Sequence, residues 1–288
     1  MQGTVDGFSY GLVTPLVAFL MACLGGALGL RCTTRSRTAP PSRRPGWLAL
    51  GSVAIGSGIW TMHFIGMMGF AIEGTPIHYD RGMTFASLGV GILMVGVGIF
   101  IVGYRGASGA ALFTGGTITG LGIASMHYLG MAGMSLDGRL EYNTLVVAAS
   151  VVIAMAAATA ALWAAGQVRG VLWSVGASLV MGVAVTGMHY TGMASLDVHV
   201  HGTATPAVGE SAGQLLGPLM VGPLAFLVLA GIVVIFDPLI VTGGPGTPPV
   251  EERKPGIPAH PPAHPRPARS RLRLRGPVEH RSRTPQRR

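Results

Sequence analysis

Residues 125–131 read SMHYLGM, a histidine set between two methionines inside a run of otherwise apolar residues. The arrangement returns as TMHFIGM at 61–67 and as GMHYTGM at 187–193. The histidines of the three copies, His63, His127 and His189, follow one another at intervals of 64 and 62 residues. One membrane-spanning helix takes about 20 mostly apolar residues. Intervals of this size therefore hold two spans and their connections. The motif marks every second span, and the three marked helices run in the same direction.

The rest of the chain agrees with a membrane reading. Of 288 residues, 49% are hydrophobic and 11% charged, against about 25% charged in a soluble protein. Seven segments are long and apolar enough to span, at 8–30, 47–70, 83–104, 110–134, 144–166, 171–195 and 215–236. They are too long and too uniformly apolar for barrel strands, and an open sheet leaves backbone groups unpaired in hydrocarbon. The expected fold is an all-α, polytopic bundle of seven transmembrane helices. Residues 1–236 form its membrane domain, with three internal two-helix repeats. Residues 237–288, rich in Pro and Arg, form a basic tail expected to be disordered. Much of the formal charge of +9 sits in that tail, so nucleic acid is not an expected partner. Cys23 and Cys32 are nine residues apart on one segment, roughly 13 Å along a helix, too far for a disulfide. The first residues, MQGTVDGFSYG, include an acid and no basic group, unlike a cleaved signal peptide.

Arginine distribution sets the expected orientation. The link taken as 31–46 holds Arg31, Arg35, Arg37, Arg43 and Arg44, and single arginines sit near the turns at 105 and 169. The opposite loops hold Glu73, Asp80, Asp137, Glu141, Asp197 and Glu210, with Arg81 and Arg139. By the positive-inside rule the N-terminus is outside and the C-terminus cytoplasmic. Trp47, Tyr104, Trp163 and Trp173 fall near the inner ends of their spans, as an aromatic belt does. The expected location is the bacterial inner membrane, with the lipid bilayer as the first partner.

Each motif histidine lies six or seven residues before the outer end of its span, about 10 Å deep at 1.5 Å per residue. His63 and Met67, His127 and Met131, and His189 and Met193 are four apart, so each pair shares a helix face. Met62, Met126 and Met188 point about 100° away. Imidazole and thioether are uncharged ligands, and thioether favours soft copper over magnesium, calcium or zinc. Gly66, Gly130 and Gly192 separate His from Met and let helices approach. The residues alone leave open a metal site, a set of packing histidines and haem ligation. Glu73, Asp137 and Asp197 read as helix-end or loop charges. His78, His199 and His201 read as outer-loop residues, and His260 and His264 as incidental to the tail. The sequence offers no Ser/His/Asp set, no phosphate-cradling loop and no paired membrane carboxylates, so enzymatic activity is not expected.

Three MH[FY]xGM motifs on alternate spans resemble the MHYT family of bacterial integral membrane sensor domains, over about residues 8–236. The resemblance implies a metal, copper, held near the outer face by His63, Met67, His127, Met131, His189 and Met193, with Met62, Met126 and Met188 as further candidates. It also implies a sensor of oxygen, carbon monoxide, nitric oxide or redox state. Many family members carry a cyclic-dinucleotide synthase or phosphodiesterase module. Here a short tail follows the spans, so a separate cytoplasmic signalling protein is the expected partner. Two rival expectations are a copper carrier and a haem-binding membrane protein. The inner halves of spans two, four and six run WLALGSVAIGSG, LFTGGTITG and VLWSVGASLV, without a line of ligands for permeation.

Overall fold

A computed structural model describes residues 5–6, 10–72, 75–167, 171–200 and 210–236. Along the chain these form β1 (Val5–Asp6), α1 (Val13–Thr38), α2 (Arg44–Met68), β2 (Ala71–Ile72), β3 (His78–Tyr79), α3 (Arg81–Arg105) and α4 (Gly109–Ala132). There follow β4 (Met134–Ser135), β5 (Gly138–Tyr142), α5 (Thr144–Gln167), α6 (Val171–Met193), β6 (Leu196–Val200), β7 (Glu210–Ser211) and α7 (Ala212–Ile235). All seven helices are long and apolar enough to cross a membrane. Glu73, Arg169, His201 and the tail from 237, with His260 and His264, lie outside the described residues.

The seven segments read from hydropathy are all helices, with one correction of extent. Hydropathy places the first span at 8–30, but α1 begins at Val13 and runs to Thr38. It carries Arg31, Arg35 and Arg37, and α2 already begins at Arg44. Nothing in RCTTRSRT breaks a helix, and the first breakers are Pro40 and Pro41. The supposed 16-residue link is therefore only residues 39–43.

Polar side chains start several helices. The Asp80 carboxylate accepts from Met83 N–H at 2.6 Å to cap α3. Ser108 caps α4 through Ala111 N–H. Asn143 accepts from Leu145 and Val146 N–H at 3.1 and 3.3 Å to cap α5. Asp80 ends the tripeptide HYD at 78–80 and Asn143 ends EYN at 141–143, so two of the repeats start their next helix with the same kind of cap.

Helices α1 to α6 pack in sequence order into a closed ring, α6 returning against α1, with α7 outside it against α1 and α2. The ring depends on glycine. A Cβ on Gly58 of α2 would stand 2.6 Å from Gly25 Cα of α1, and one on Gly25 would stand 2.8 Å from Gly58 Cα. Large apolar side chains such as Phe85, Leu145, Val180 and Leu229 point outward, as they do toward lipid. At the arginine-bearing end the Arg35 guanidinium lies 5.5 Å from the Trp47 ring centroid and that of Arg44 lies 5.0 Å from Tyr104. Arg37 donates to the Gly166 carbonyl at 2.6 Å.

The other end carries a feature absent from the hydropathy reading, a set of short strands. Strand β3 pairs antiparallel with β4 on one side and β7 on the other. Each comes from a different loop, the ones after α2, α4 and α6. Strands β5 and β6 pair with Leu140 opposite Val198 and Tyr142 opposite Leu196. The period-two alternation of LDVHV at 196–200 is the sequence signal for this pair. Val198 and Leu196 face inward, and Tyr79 is buried beneath this lid. Burial raises the Tyr79 phenol above its ordinary pKa, so it is neutral there.

Replacing Gly58 with alanine is expected to destabilise the bundle by about 1–3 kcal/mol through overpacking. Gly89 on α3, with nothing near its added Cβ, should gain about 0.5–1 kcal/mol from the same change. Denaturant titration of the two variants in detergent checks the opposite signs.

Candidate metal centre

The helices that carry the motif, α2, α4 and α6, each bring a histidine to the axis of the ring. His63, His127 and His189 are all at most 1% exposed. Their Nδ1 atoms converge, at 3.0 Å between His63 and His127, 3.1 Å between His63 and His189, and 3.3 Å between His127 and His189. The rings stand nearly perpendicular, with interplanar angles of 77°, 85° and 89°. Each ring also meets the aromatic residue that follows it edge to face, Phe64, Tyr128 or Tyr190, with centroids 4.6–4.9 Å apart.

The motif glycines fix this arrangement in a cyclic pattern. Nε2 of His63 lies over Gly130, that of His127 over Gly192, and that of His189 over Gly66. At Gly130 an added Cβ would stand 2.6 Å from His63 Nε2. Each histidine therefore rests on the glycine of a neighbouring motif helix. The xGM part of the motif receives a ring from one neighbour while its own histidine is received by the other.

Three nitrogens this close cannot all be satisfied by one another. Each Nδ1 either carries a proton or does not, so at least two of the three are alike. Two N–H groups or two lone pairs then face each other at about hydrogen-bond distance. A cation at the centre removes the conflict, because all three lone pairs point at it. The distances suit this. Nitrogens about 2.0–2.1 Å from a common metal stand roughly 3.3–3.4 Å apart at tetrahedral angles and about 2.9 Å apart at right angles. With Nδ1 turned inward, the proton belongs on Nε2. In all three histidines that atom is buried without a hydrogen-bond partner among the described residues.

Among the described residues, the histidine triad is the one group of His, Cys, Asp or Glu gathered closely enough for a metal. Asp137 and Asp197 lie in the lid and are not part of it. His199 lies on β6 beside Glu141, at 3.8 Å, and His78 lies on β3. Cys23 and Cys32 are buried and not joined in a disulfide.

The methionines are placed differently from the histidines. Met67 and Met131 are buried and Met193 is half-buried, one helical turn nearer the lid than the histidine of each motif. Met62, Met126 and Met188 are buried as well. Met126 packs its Cβ and Cγ on Gly91 of α3, which makes it a contact between the inner and outer helices. What the sequence reading missed is the Nε2–glycine contact. Its signal was the glycine at +3 from each histidine, read there as a general aid to helix approach.

Comparison with known proteins agrees with the motif. The model of the MHYT family, described as a bacterial signalling protein N terminal repeat, matches residues 56–115 and 120–178. His63 and His127 occupy the same place in the two matches. The bifunctional diguanylate cyclase/cyclic di-GMP phosphodiesterase MucR of Pseudomonas aeruginosa is 36% identical over 245 residues, 80% of this chain and 34% of MucR. The cyclic di-GMP phosphodiesterase NbdA of the same organism is 31% identical, over 80% of this chain and 30% of NbdA. The signaling protein YkoW of Bacillus subtilis is 29% identical, over 66% of this chain and 24% of YkoW. The chain thus spans about a third or less of the length of these relatives. No solved structure matches it. With the motif, its repeat and these relatives in agreement, the chain carries repeats of the MHYT family of bacterial signalling proteins, matched over residues 56–115 and 120–178.

Proposed function

We propose that this membrane domain is a sensor, with one copper ion held by Nδ1 of His63, His127 and His189 near the outer face of the bacterial inner membrane. The convergence of three buried imidazole nitrogens carries the reading. Copper is chosen over zinc because Met67, Met131 and Met193 stand one turn from the triad with soft sulfur. Copper would supply a redox-active centre whose free coordination position can take a diatomic gas such as oxygen, carbon monoxide or nitric oxide. The protein's own part is to hold the three lone pairs together, keep their Nε2 protons off water and cover the site with the lid. Orientation follows from Arg31, Arg35, Arg37, Arg43, Arg44 and Arg105 at the end away from the lid, which the positive-inside rule puts in the cytoplasm. The output is carried to a separate cytoplasmic signalling protein, in keeping with relatives named for cyclic di-GMP chemistry. The carrier alternative is weakened by the apolar residues below the triad. The haem alternative is weakened because nitrogens 3.0–3.3 Å apart leave no space for a macrocycle between them.

Elemental analysis of protein purified in detergent tests the reading. About one copper per chain, lost when His63, His127 and His189 are all changed to alanine, is the expected result; no metal in either protein after anaerobic Cu(I) loading would overturn it. His127→Ala is expected to lower copper content far more than His199→Ala, and equal losses would remove the triad from consideration. Gly130→Ala, which crowds His63, should weaken Cu(I) binding roughly 10–100-fold, the size of supporting-shell effects at metal sites. Gly187→Ala, with open space at its Cβ, should leave binding unchanged in a competition titration.

A further inference from the structure

Directly below the triad the ring is not filled. A void of about 30 Å³ lies on its axis. Ile59, Ile123 and Val185, each one turn before a motif histidine, line its upper part, and Ile55, Thr119 and Met181 line it one turn further on. One water needs roughly 10–15 Å³ of such free volume, and two to four polar partners. The space is therefore that of a two-atom molecule, and its walls are apolar except for the hydroxyls of Thr33 and Thr119. The Thr33 hydroxyl donates to the Gly29 carbonyl at 2.8 Å, and the Thr119 hydroxyl, turned toward Gly98 of α3, is buried without a hydrogen-bond partner among the described residues, so a water there would meet fewer polar groups than it needs.

A second space lies on the outside of the ring. Between α5 and α6 runs a groove of about 530 Å³, floored by alanines and Gly176 and flanked by Trp163 and Trp173. Ala157, Ala161 and Met181 line both the groove and the axial void. The wall between them is one side chain thick. Two of its members are methyl groups. The third, Met181, is unbranched and rests its methyl on Gly26 of α1. A methionine of this kind swings between rotamers at little cost.

We propose that the axial void is a binding site for one small apolar molecule of diatomic size, entered sideways from the bilayer through the α5–α6 groove with Met181 as its door. Apolar solutes leave water for hydrocarbon, so the membrane is where such a molecule is concentrated. The opposite approach is closed by the strands of the lid and by buried Tyr79. The molecule's role as the sensed ligand rests on the copper reading above; the void and its entrance do not.

Xenon is the probe, applied to metal-free protein in lipid nanodiscs with ¹³C-methyl isoleucine and methionine and followed by NMR. Saturable shifts are expected at Ile59, Ile123 and Met181, with exposed Ile232 unmoved. Ala158→Leu, which fills the void, should abolish them. Val185→Ile, a milder filling for use if that variant does not fold, should weaken xenon binding at least threefold. Ala177→Phe, at a residue that lines the groove but not the void, should leave occupancy intact and slow xenon exchange at least tenfold. Absence of saturable shifts at Ile59 and Ile123, or shifts that persist unchanged in the filled variants, would overturn the site. Unchanged exchange in Ala177→Phe would overturn the entrance. So would a drop in oligomer size caused by that variant, because the groove would then be a contact between copies. The shifts are read without metal, so a failed copper experiment and a failed xenon experiment remain distinguishable.

Discussion

Three imidazole nitrogens held within 3.3 Å of one another are a constraint that the surrounding bundle has to sustain. Left to themselves the rings would turn away, since neutral imidazoles cannot satisfy a three-way contact. The bundle prevents this from behind. Each Nε2 is pressed against a glycine on a neighbouring helix, and each ring is clamped by the aromatic residue next in sequence. In hydrocarbon there is no hydrophobic force between helices to drive them together, and small residues that permit close approach take its place. The glycines at 66, 130 and 192 thus do two things at once: they bring the helices near and they set the rotation of the imidazoles.

Much of this architecture was legible in the sequence because it repeats. The motif occurs three times at nearly equal intervals, so the marked helices had to be parallel and their histidines had to lie at one depth. The structure adds that the depth is shared at a single point. What the sequence could not convey follows from contacts distant in the chain. Strands of two residues, such as His78–Tyr79 and Glu210–Ser211, have no periodicity to read. They exist because three loops meet at one end of a ring. The overlong α1 was missed for a different reason. Hydropathy falls at Arg31 while the helix continues to Thr38, and polarity was read as a boundary where only the prolines made one. The methionines show a limit of motif reading. His127 and Met126 are adjacent in every statement of the pattern, yet one faces the axis and the other packs on Gly91 of α3.

The two ends of the ring are built from different chemistry. At the lid end backbone pairing and a buried tyrosine close the bundle. At the other end arginines reach over aromatic rings and onto helix-terminal carbonyls. Between them the buried interior below the histidines carries scattered Ser and Thr hydroxyls but no charged side chain among the described residues. A change at the triad therefore has the inner helices α2, α4 and α6 as its means of reaching the arginine-bearing end. This suits a signalling domain better than a conduit, because α2, α4 and α6 run unbroken from the triad to that end while the polar groups between, among the described residues, are isolated hydroxyls.

The three-stranded sheet that joins one strand from each loop also imposes an order in time. Strand β3 is made early, but its second edge stays open until Glu210 and Ser211 have been synthesised. The third nitrogen of the centre arrives with His189, only some twenty residues before. Until then the growing chain holds at most two of the three histidines under an incomplete cover, and it completes the centre and its roof almost together. Nothing can be captured by all three rings until six helices are in the membrane, and soon afterwards the way in from that side is shut.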